Sequence, residues 1–424
     1  MNLMRVGHAS LVLVVLPSLA AAQQPEQRIV RHQGAGHEMF SGERFELPAG
    51  ADEVSVPFRD VNQHILLSMM VNGKGPFDIV LDTGMPIGGV ILYGDERVAS
   101  LGLNYMEGVQ VRVGGAGGTG EANPARIATN VGLRLGDLAI LDARATVVPE
   151  QGGFGAYFDG IIGAGLFRNF AVTIDNDHGV LTLRRPESYK PPEGAVAVPL
   201  TLEGGAPFIE ARVQIGGSPA VPVQLVVDTG ATHAVSLNEG DDPKIAAPAN
   251  AIATLIGRGA SGEVLGRIGR IRSLEVGGFA LDGVVATFPD EAHHSPRGMD
   301  SRNGNLGNGF LRRFNVTFDY AGKRLFLART KSAAEPFEWD MSGMQAEPTG
   351  EGTVRVRRVL PGSPAAEAGI AENDRIVRIA GEDVTEKNYF SMRERLRKNG
   401  ETVSVELLRG DKPVAVSIKL RRLV

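Results

Sequence analysis

The 424-residue sequence contains no cysteine, only 6% aromatic residues and a single tryptophan. Without cysteine there is no disulfide framework and no residue to carry a lipid anchor after a leader. A strong positive charge is also lacking, because the formal net charge is −5. This balance argues against nucleic-acid binding. Beyond the N-terminus no apolar run is long enough to cross a bilayer.

What is present is a globular composition, with 43% hydrophobic and 22% charged residues. The 55 glycines indicate many turns and favour a mainly β fold. A chain of this length exceeds one ordinary hydrophobic core, so two or three domains are expected.

The first residues are typical of a leader for export. Arg5 precedes an uncharged stretch around residues 11–16, and small residues follow at Ala20, Ala21 and Ala22. We predict a signal peptide over residues 1–22, cleaved near Ala22, and a periplasmic or secreted protein. A buried strand or an anchor is the alternative for this stretch. Residues 23–52 form an N-terminal segment that is either a pro-segment or a tail. A cysteine-free exported chain fits a bacterial envelope best.

The chain contains an internal duplication. Residues 165–183 match residues 309–327 without a gap at an offset of 144 (309 − 165). Residues 159–163 and 303–307 match at the same offset. Earlier in each copy an Asp-Thr-Gly triplet occurs at an offset of 146 (228 − 82): Asp82, Thr83 and Gly84, then Asp228, Thr229 and Gly230. We predict two homologous lobes, 53–190 and 191–330.

Both copies have the alternating pattern of β-strands. Apolar and polar residues alternate over 209–215, and apolar residues 223–227 lead directly into Asp228. In the first copy residues 65–71 and 77–81 are predicted strands, and the second leads into Asp82. Each acid therefore lies in a loop at the end of an apolar strand.

Pseudo-twofold packing of two such lobes would bring the acidic loops face to face. Two adjacent carboxyl groups cannot both ionise, so they share one proton and titrate as a pair. The ionised group can take a proton from a water, and the protonated group can donate to a scissile carbonyl. This chemistry needs no metal or other cofactor, and we predict none. A pair of carboxyl groups that shares one proton is a known arrangement for general acid–base catalysis.

The sequence resembles the aspartic protease family, in the pepsin and retropepsin sense, over about residues 53–330. The resemblance implies a mainly β, bilobal, pseudo-twofold fold with catalytic Asp82 and Asp228 and with Thr83 and Thr229 interlocked across the lobes. It also implies that Ile161, Ile162 and Gly163 support the first acidic loop in a psi-shaped crossing. The sequence departs from the family at Met85 and Pro86, and at Asn305, which is polar where the first lobe has Ile161.

Two glycine-rich segments occupy matching places in the lobes. We predict that they are flap hairpins over the cleft, with tips at Gly117, Gly118, Thr119 and Gly120, and at Gly259, Ala260, Ser261 and Gly262. Plain surface hairpins are the alternative. The first segment also matches G-x-G-x-x-G, but no apolar helix follows, so a dinucleotide site is not favoured.

The histidines give weaker signals. His293 and His294 lack metal-ligand spacing and are assigned to a loop. His233 lies near the second acid, where either an edge of the site or a structural role is open; the structural role is favoured.

After a linker at 331–337, residues 338–424 resemble a bacterial-type PDZ domain, a small α+β module with β-sandwich-like character. The resemblance rests on Leu-Pro-Gly-Ser-Pro-Ala from residue 360, Ala-Gly-Ile from 368 and Asp-Arg-Ile from 374. It implies a groove beside a helix near 386–398 that accepts a peptide C-terminus by strand addition. We predict the carboxylate loop at Ser342, Gly343, Met344 and Gln345, whose backbone N–H groups can hold an anion. A packing module without ligand is the alternative.

The predicted function is an aspartic endopeptidase, expected to be a monomer, acting on peptides or proteins without nucleic-acid partners. The alternatives are a non-catalytic peptide-binding protein that keeps the protease cleft and the PDZ groove, and a phosphatase with a nucleophilic aspartate. The phosphatase is disfavoured because such sites use a second acid two residues on, where Gly84 and Gly230 stand.

Overall fold

A computed structural model describes residues 16–17, 42–94, 96–115, 123–149, 158–240, 242–259, 261–291 and 303–424. These residues form two compact units, the first ending at Glu335 and the second running over Pro336–Val424. Among the described residues, none of the helices combines the length and the hydropathy that crossing a membrane would require.

The first lobe consists of strands with three short helical turns. Its strands are β1 (Leu16–Pro17), β2 (Arg44–Glu46), β3 (Glu53–Val61), β4 (His64–Val71), β5 (Lys74–Leu81), β6 (Val90–Gly94), β7 (Asn104–Tyr105), β8 (Val109–Val113), β9 (Asn123–Leu135), β10 (Leu138–Pro149), β11 (Gly160–Ile162), β12 (Ala171–Asp175) and β13 (Val180–Arg184). The helical turns are α1 (Glu96–Ala99), α2 (Ala164–Asn169) and a 3-10 turn at Pro186–Ser188.

The second lobe repeats this plan. Its strands are β14 (Val196–Pro199), β15 (Thr201–Glu203), β16 (Ala206–Gln214), β17 (Val221–Asp228), β18 (Val235–Leu237), β19 (Ile252–Gly259), β20 (Gly262–Arg270), β21 (Ser273–Val276), β22 (Phe279–Asp282), β23 (Val285–Pro289), β24 (Gly304–Gly307), β25 (Phe314–Asp319) and β26 (Arg324–Arg329). Helix α3 covers Asn308–Leu311.

A continuous sheet joins the lobes in the order β3-β13-β12-β25-β26-β14. Strands β12 and β25 are antiparallel neighbours, with Thr173 opposite Thr317. These threonines are separated by the duplication offset of 144, and their hydroxyl groups lie 2.9 Å apart. Equivalent residues of the two copies therefore meet on the pseudo-twofold axis, which is the packing that the duplication predicts.

The two lobes use the same strand arrangement around their acidic loops. In the first, β11 lies between β5, to which it is parallel, and β6, to which it is antiparallel. In the second, β24 lies between β17 and β18 with the same directions. The alternating pattern explains the strands, since the inward positions of β16 include buried Ile209, Ala211 and Val213.

The second unit contains β27 (Met344–Pro348), β28 (Val354–Val359), β29 (Arg375–Ile379), β30 (Glu382–Asp383), β31 (Thr402–Arg409) and β32 (Lys412–Lys419). Its helices are α4 (Pro364–Glu367) and α5 (Tyr389–Arg393), and a 3-10 turn at Glu394–Arg397 follows α5. Strand β27 ends the sheet order β27-β28-β29-β31-β32. Its apolar core includes Val354, Val356, Tyr389, Leu396 and Val405.

Candidate active site

The two acids lie at equivalent strand ends. Asp82 follows the last residue of β5, and Asp228 is the last residue of β17. In each lobe the acidic residue is next to the strand of the psi motif, which is β11 in the first lobe and β24 in the second and is called the psi strand below. The Asp82 N–H donates to the Ile162 carbonyl of β11 at 2.9 Å, and Asp228 pairs with Gly307 of β24. The strand pairs thus hold both backbones at the ends of buried, apolar strands.

Glycine is needed where the psi strand passes the acidic loop. A Cβ atom on Gly163 would lie 2.4 Å from the Asp82 carbonyl oxygen, and one on Gly307 would lie 2.3 Å from the His233 carbonyl oxygen. Real Cβ atoms do not approach backbone oxygen so closely. The Gly residues in both copies of the psi motif therefore follow from the crossing geometry.

Thr83 and Thr229 interlock across the lobes. The Thr83 hydroxyl donates to the Val227 carbonyl at 2.6 Å and accepts from the Thr229 N–H at 2.9 Å. Symmetrically, the Thr229 hydroxyl donates to the Leu81 carbonyl at 2.8 Å and accepts from the Thr83 N–H at 3.0 Å. Since both threonines are buried, these four bonds fix one loop against the other.

The interlocked loops bring the carboxyl groups together. A Cβ atom on Gly84 would lie 2.9 Å from the Asp228 carboxyl carbon, and one on Gly230 would lie 2.4 Å from that of Asp82. The two carboxyl groups are therefore adjacent, and the charge of Asp228 acts on Asp82. Their own loops hold them, because the Gly84 N–H donates to Asp82 Oδ1 at 2.7 Å and the Gly230 N–H donates to Asp228 Oδ1 at 2.9 Å.

Burial and the adjacent negative charge of Asp228 raise the pKa of Asp82 well above its ordinary value. Tyr93 lies on the Asp82 side, where burial first and the Asp82 charge second raise the pKa of its phenol. Both acids keep a partly accessible surface although protein surrounds them on most sides. Such a pair, with one proton between two carboxyl groups, can act as acid and base together.

Three polar side chains surround Asp228 and were not predicted as site residues. Asn305 Nδ2 donates to Asp228 Oδ2 at 2.7 Å. His233 Nε2 lies 3.3 Å from Asn305 Oδ1, which places His233 beside a side chain that contacts Asp228. His64, from the first lobe, lies near Gly230 and Asp228, and the negative charge of Asp228 acts on its ring. The polar residue at 305 of the second psi motif was the available signal for this cluster.

The hairpins predicted as flaps are partly described. Strands β19 and β20 pair up to Gly259 and Gly262, and the Ser261 hydroxyl between them accepts the Gly115 N–H of the other lobe at 3.0 Å. The two hairpins therefore meet across the lobes. Gly117, Gly118, Thr119, Gly120 and Ala260 lie outside the described residues, as do His293 and His294.

The first hairpin packs against the Asp82 loop. Met85, a departure from the family pattern, is buried in an apolar cluster with Val111 and Val113 of β8 and with Ala125 and Ile127 of β9. The large side chain at 85 thus connects the acidic loop to the hairpin above it.

The predicted carboxylate loop of the second unit is filled by a side chain of the same unit. Asp340 Oδ1 accepts the N–H groups of Ser342 at 2.9 Å and Gly343 at 3.2 Å. The Met344 N–H donates to the Ser342 hydroxyl at 3.0 Å. In this conformation these three groups are not available to a peptide carboxylate, contrary to the prediction. Asp340 is buried, and burial raises its pKa.

Across the part of the chain that the structure describes, no cluster of three or more acidic or histidine side chains could hold a metal ion. Asp82 and Asp228, on loops joined by the hydrogen bonds of Thr83 and Thr229, are therefore the candidate catalytic groups.

Residues 67–166 and 211–310 match the family model for aspartyl protease, and residues 340–420 match the model for PDZ domain. Each protease match spans one acidic loop and the psi strand of the same lobe. Among solved structures the chain is similar to the aspartic proteinase from Irpex lacteus, at 17% identity, over 67% of this chain and 99% of that chain, with a TM-score of 0.44. No curated protein sequence matches the chain.

Proposed function

We propose that this chain, whose two lobes match the model for aspartyl protease and whose residues 340–420 match the model for PDZ domain, is an aspartic endopeptidase. In this proposal the carboxyl groups of Asp82 and Asp228 act as acid and base in the hydrolysis of peptide bonds. The observation that carries this proposal is the pair of adjacent carboxyl groups that the two interlocked loops hold together, with the pKa of Asp82 raised. A cleft that only held peptides would gain nothing from two adjacent acids, since their repulsion destabilises the fold.

In the proposed reaction one carboxylate takes a proton from a water, and the water oxygen attacks the scissile carbonyl carbon. The other carboxyl group donates its proton to the carbonyl oxygen, which gives a neutral tetrahedral diol. The first carboxyl group then protonates the amide nitrogen, the C–N bond breaks, and a diol proton returns to the second carboxylate. The dyad ends in its starting protonation state, without a covalent intermediate.

The meeting of the hairpins at Gly115 and Ser261 supports a substrate that is enclosed from both lobes. Hairpins over the dyad would exclude bulk water and hold the peptide extended by backbone hydrogen bonds. Substrates would be peptides or unfolded segments of proteins, because a folded chain does not enter such a space.

For the PDZ domain we propose a role in recruiting or gating substrates by strand addition to β27, the strand at the end of its sheet. We further propose that the protein is exported, on the basis of its leader-like first 22 residues.

A peptide library tests the activity. We expect the wild-type protein to cleave, and Asp82→Asn and Asp228→Asn each to lose at least about a thousandfold in kcat/KM, since either change removes the shared proton or the base. A hydroxyl-containing mimic of the tetrahedral diol should inhibit the wild type. Equal cleavage by all three proteins, or no cleavage by any, would leave a peptide-binding role instead.

A further inference from the structure

The surroundings of the two acids differ although the lobes are duplicates. Asn305 pairs with Val226 in β24 and β17, and Ile161 pairs with Val80 at the same register in β11 and β5. His233 lies five residues after Asp228, where the first lobe has Ile87 five residues after Asp82. The second acid thus has polar neighbours at two positions where the first has isoleucine.

A third difference comes from the other lobe. Leu66 pairs with Val80 and Phe208 with Val226, so β4 and β16 correspond at an offset of 142 (208 − 66). At that offset His64 corresponds to Ala206. Because His64 of the first lobe faces Gly230 and Asp228, this difference also adds polarity to the Asp228 side.

The contact that matters is the short bond from Asn305 Nδ2 to Asp228 Oδ2 at 2.7 Å. With the Gly230 N–H on Oδ1 at 2.9 Å, each oxygen of Asp228 accepts a hydrogen bond from a group that can only donate. Donors on both oxygens favour the carboxylate over the carboxylic acid. The side chain of Ile161, at the matching place beside the Asp82 loop, carries no hydrogen-bond donor.

The two histidines support this arrangement as neutral rings. Burial lowers the pKa of His64 to about 4, and burial also lowers the pKa of His233. A neutral His233 can donate from Nε2 to Asn305 Oδ1, which turns the amide so that its NH₂ group faces Asp228. The titratable groups facing Asp228 are therefore Asp82, His64 and His233, and burial favours the neutral form of both histidines.

We propose that Asn305 is a positioning residue that keeps the negative charge on Asp228 and leaves the shared proton on Asp82. This inference rests on the proposed function and assigns its two roles. Asp228 takes the proton of the attacking water, and Asp82 protonates the scissile carbonyl oxygen. A dyad with fixed roles also fixes the direction in which a peptide must cross the pseudo-twofold axis to be cut.

The test is the pH profile of kcat/KM for Asn305→Leu, whose side chain has the same branching and no donor. Loss of the hydrogen bond from Asn305 Nδ2 leaves the negative charge of the pair of acids less stabilised, so the acidic limb should move up by about 1–2 pH units. Asn305→Gln, which keeps an amide donor, should restore part of the shift. Ile161→Leu changes the matching position of the other lobe without changing a donor and should leave the acidic limb in place.

A readout without turnover separates this inference from the proposed function. Since the donor favours the charged form, its contribution to stability is present where the pair of acids carries its negative charge and is lost at low pH, where the pair becomes fully protonated. The difference in Tm between wild type and Asn305→Leu should therefore grow from pH 3 to pH 6, whereas a purely structural asparagine would cost the same at both.

If the wild type cleaves no peptide but the difference in Tm grows with pH, the peptidase proposal fails and the charge assignment stands. If the wild type cleaves peptides and Asn305→Leu moves neither the acidic limb nor the pH dependence of Tm, the assignment to Asn305 is wrong.

Discussion

The hydrogen bonds that Thr83 and Thr229 make across the lobes lead to the sharpest stability prediction. Thr83→Val keeps the shape of the side chain but removes the hydroxyl group that donates to the Val227 carbonyl and accepts the Thr229 N–H. Thr83 and Thr229 are 1% and 0% exposed, so water cannot replace the lost partner. Each buried group left unsatisfied costs about 1–3 kcal/mol, and two of them give about 2–6 kcal/mol.

The control variant Thr83→Ser keeps both hydrogen bonds and loses one methyl group, at about 1 kcal/mol. A second control is Ser55→Ala, which removes one member of a hydroxyl pair with Thr182 on the exposed face of the sheet, and should cost less than about 0.5 kcal/mol. We therefore expect the loss of stability to fall in the order Thr83→Val, Thr83→Ser, Ser55→Ala. This order distinguishes the buried hydrogen bonds of Thr83 from ordinary hydroxyl contacts.

Urea unfolding followed by two probes separates the effect on the first unit, which contains Thr83, from any effect on the second. The only tryptophan, Trp339, lies in the second unit, so its fluorescence follows that unit. Far-UV circular dichroism follows both. A transition seen by circular dichroism but not by fluorescence reports the unfolding of the first unit. We expect Thr83→Val to lower the midpoint of that transition and to leave the fluorescence transition of the second unit unchanged. A valine variant as stable as the serine variant would refute the reasoning.

Three further results are expected. Gly84→Ala should abolish cleavage, because its Cβ atom would lie 2.9 Å from the Asp228 carboxyl group, whereas Gly217→Ala meets nothing within 4 Å and should cleave like wild type in the same peptide assay. Asp82→Asn should raise Tm at pH 7 more than at pH 3: a carboxyl group with a raised pKa stabilises the fold while protonated and loses that contribution as pH rises through the folded value, so a larger gain at pH 3 would contradict the shift. Asp340→Ala should free the loop N–H groups that its carboxylate occupies and raise the affinity for a peptide with a free C-terminus about tenfold by calorimetry; unchanged affinity would mean that the loop is not the carboxylate site.

Much of the fold could be predicted from the sequence because the information is local or repeated. Alternation over 209–215 gives β16, and the apolar residues before each acid give β5 and β17. The duplication adds the long-range step, since two equal lobes pack about a twofold axis. That axis brings Thr173 to Thr317 and Thr83 to Thr229 without any pairwise signal in the sequence.

The asymmetric part of the site could not be predicted in the same way. His64 is the first residue of β4, far in sequence from Asp228, and only the lobe packing brings it there. Asn305 was visible as a polar residue in an apolar motif, but its partner depends on side-chain direction. The filled loop of the PDZ domain is a similar case, because an acid two residues before Ser342 can point into the loop or away from it.

The central claim is that Asp82 and Asp228 hold one proton as a pair, and a titration of ¹³Cγ-labelled aspartates tests it most directly. Difference spectra against Asp82→Asn and Asp228→Asn identify the two signals in the wild-type protein. We expect these signals to titrate in two widely separated steps, with either substitution abolishing the separation. Two independent titrations near the ordinary aspartate value of 3.8, each unaffected by loss of the other acid, would contradict the account.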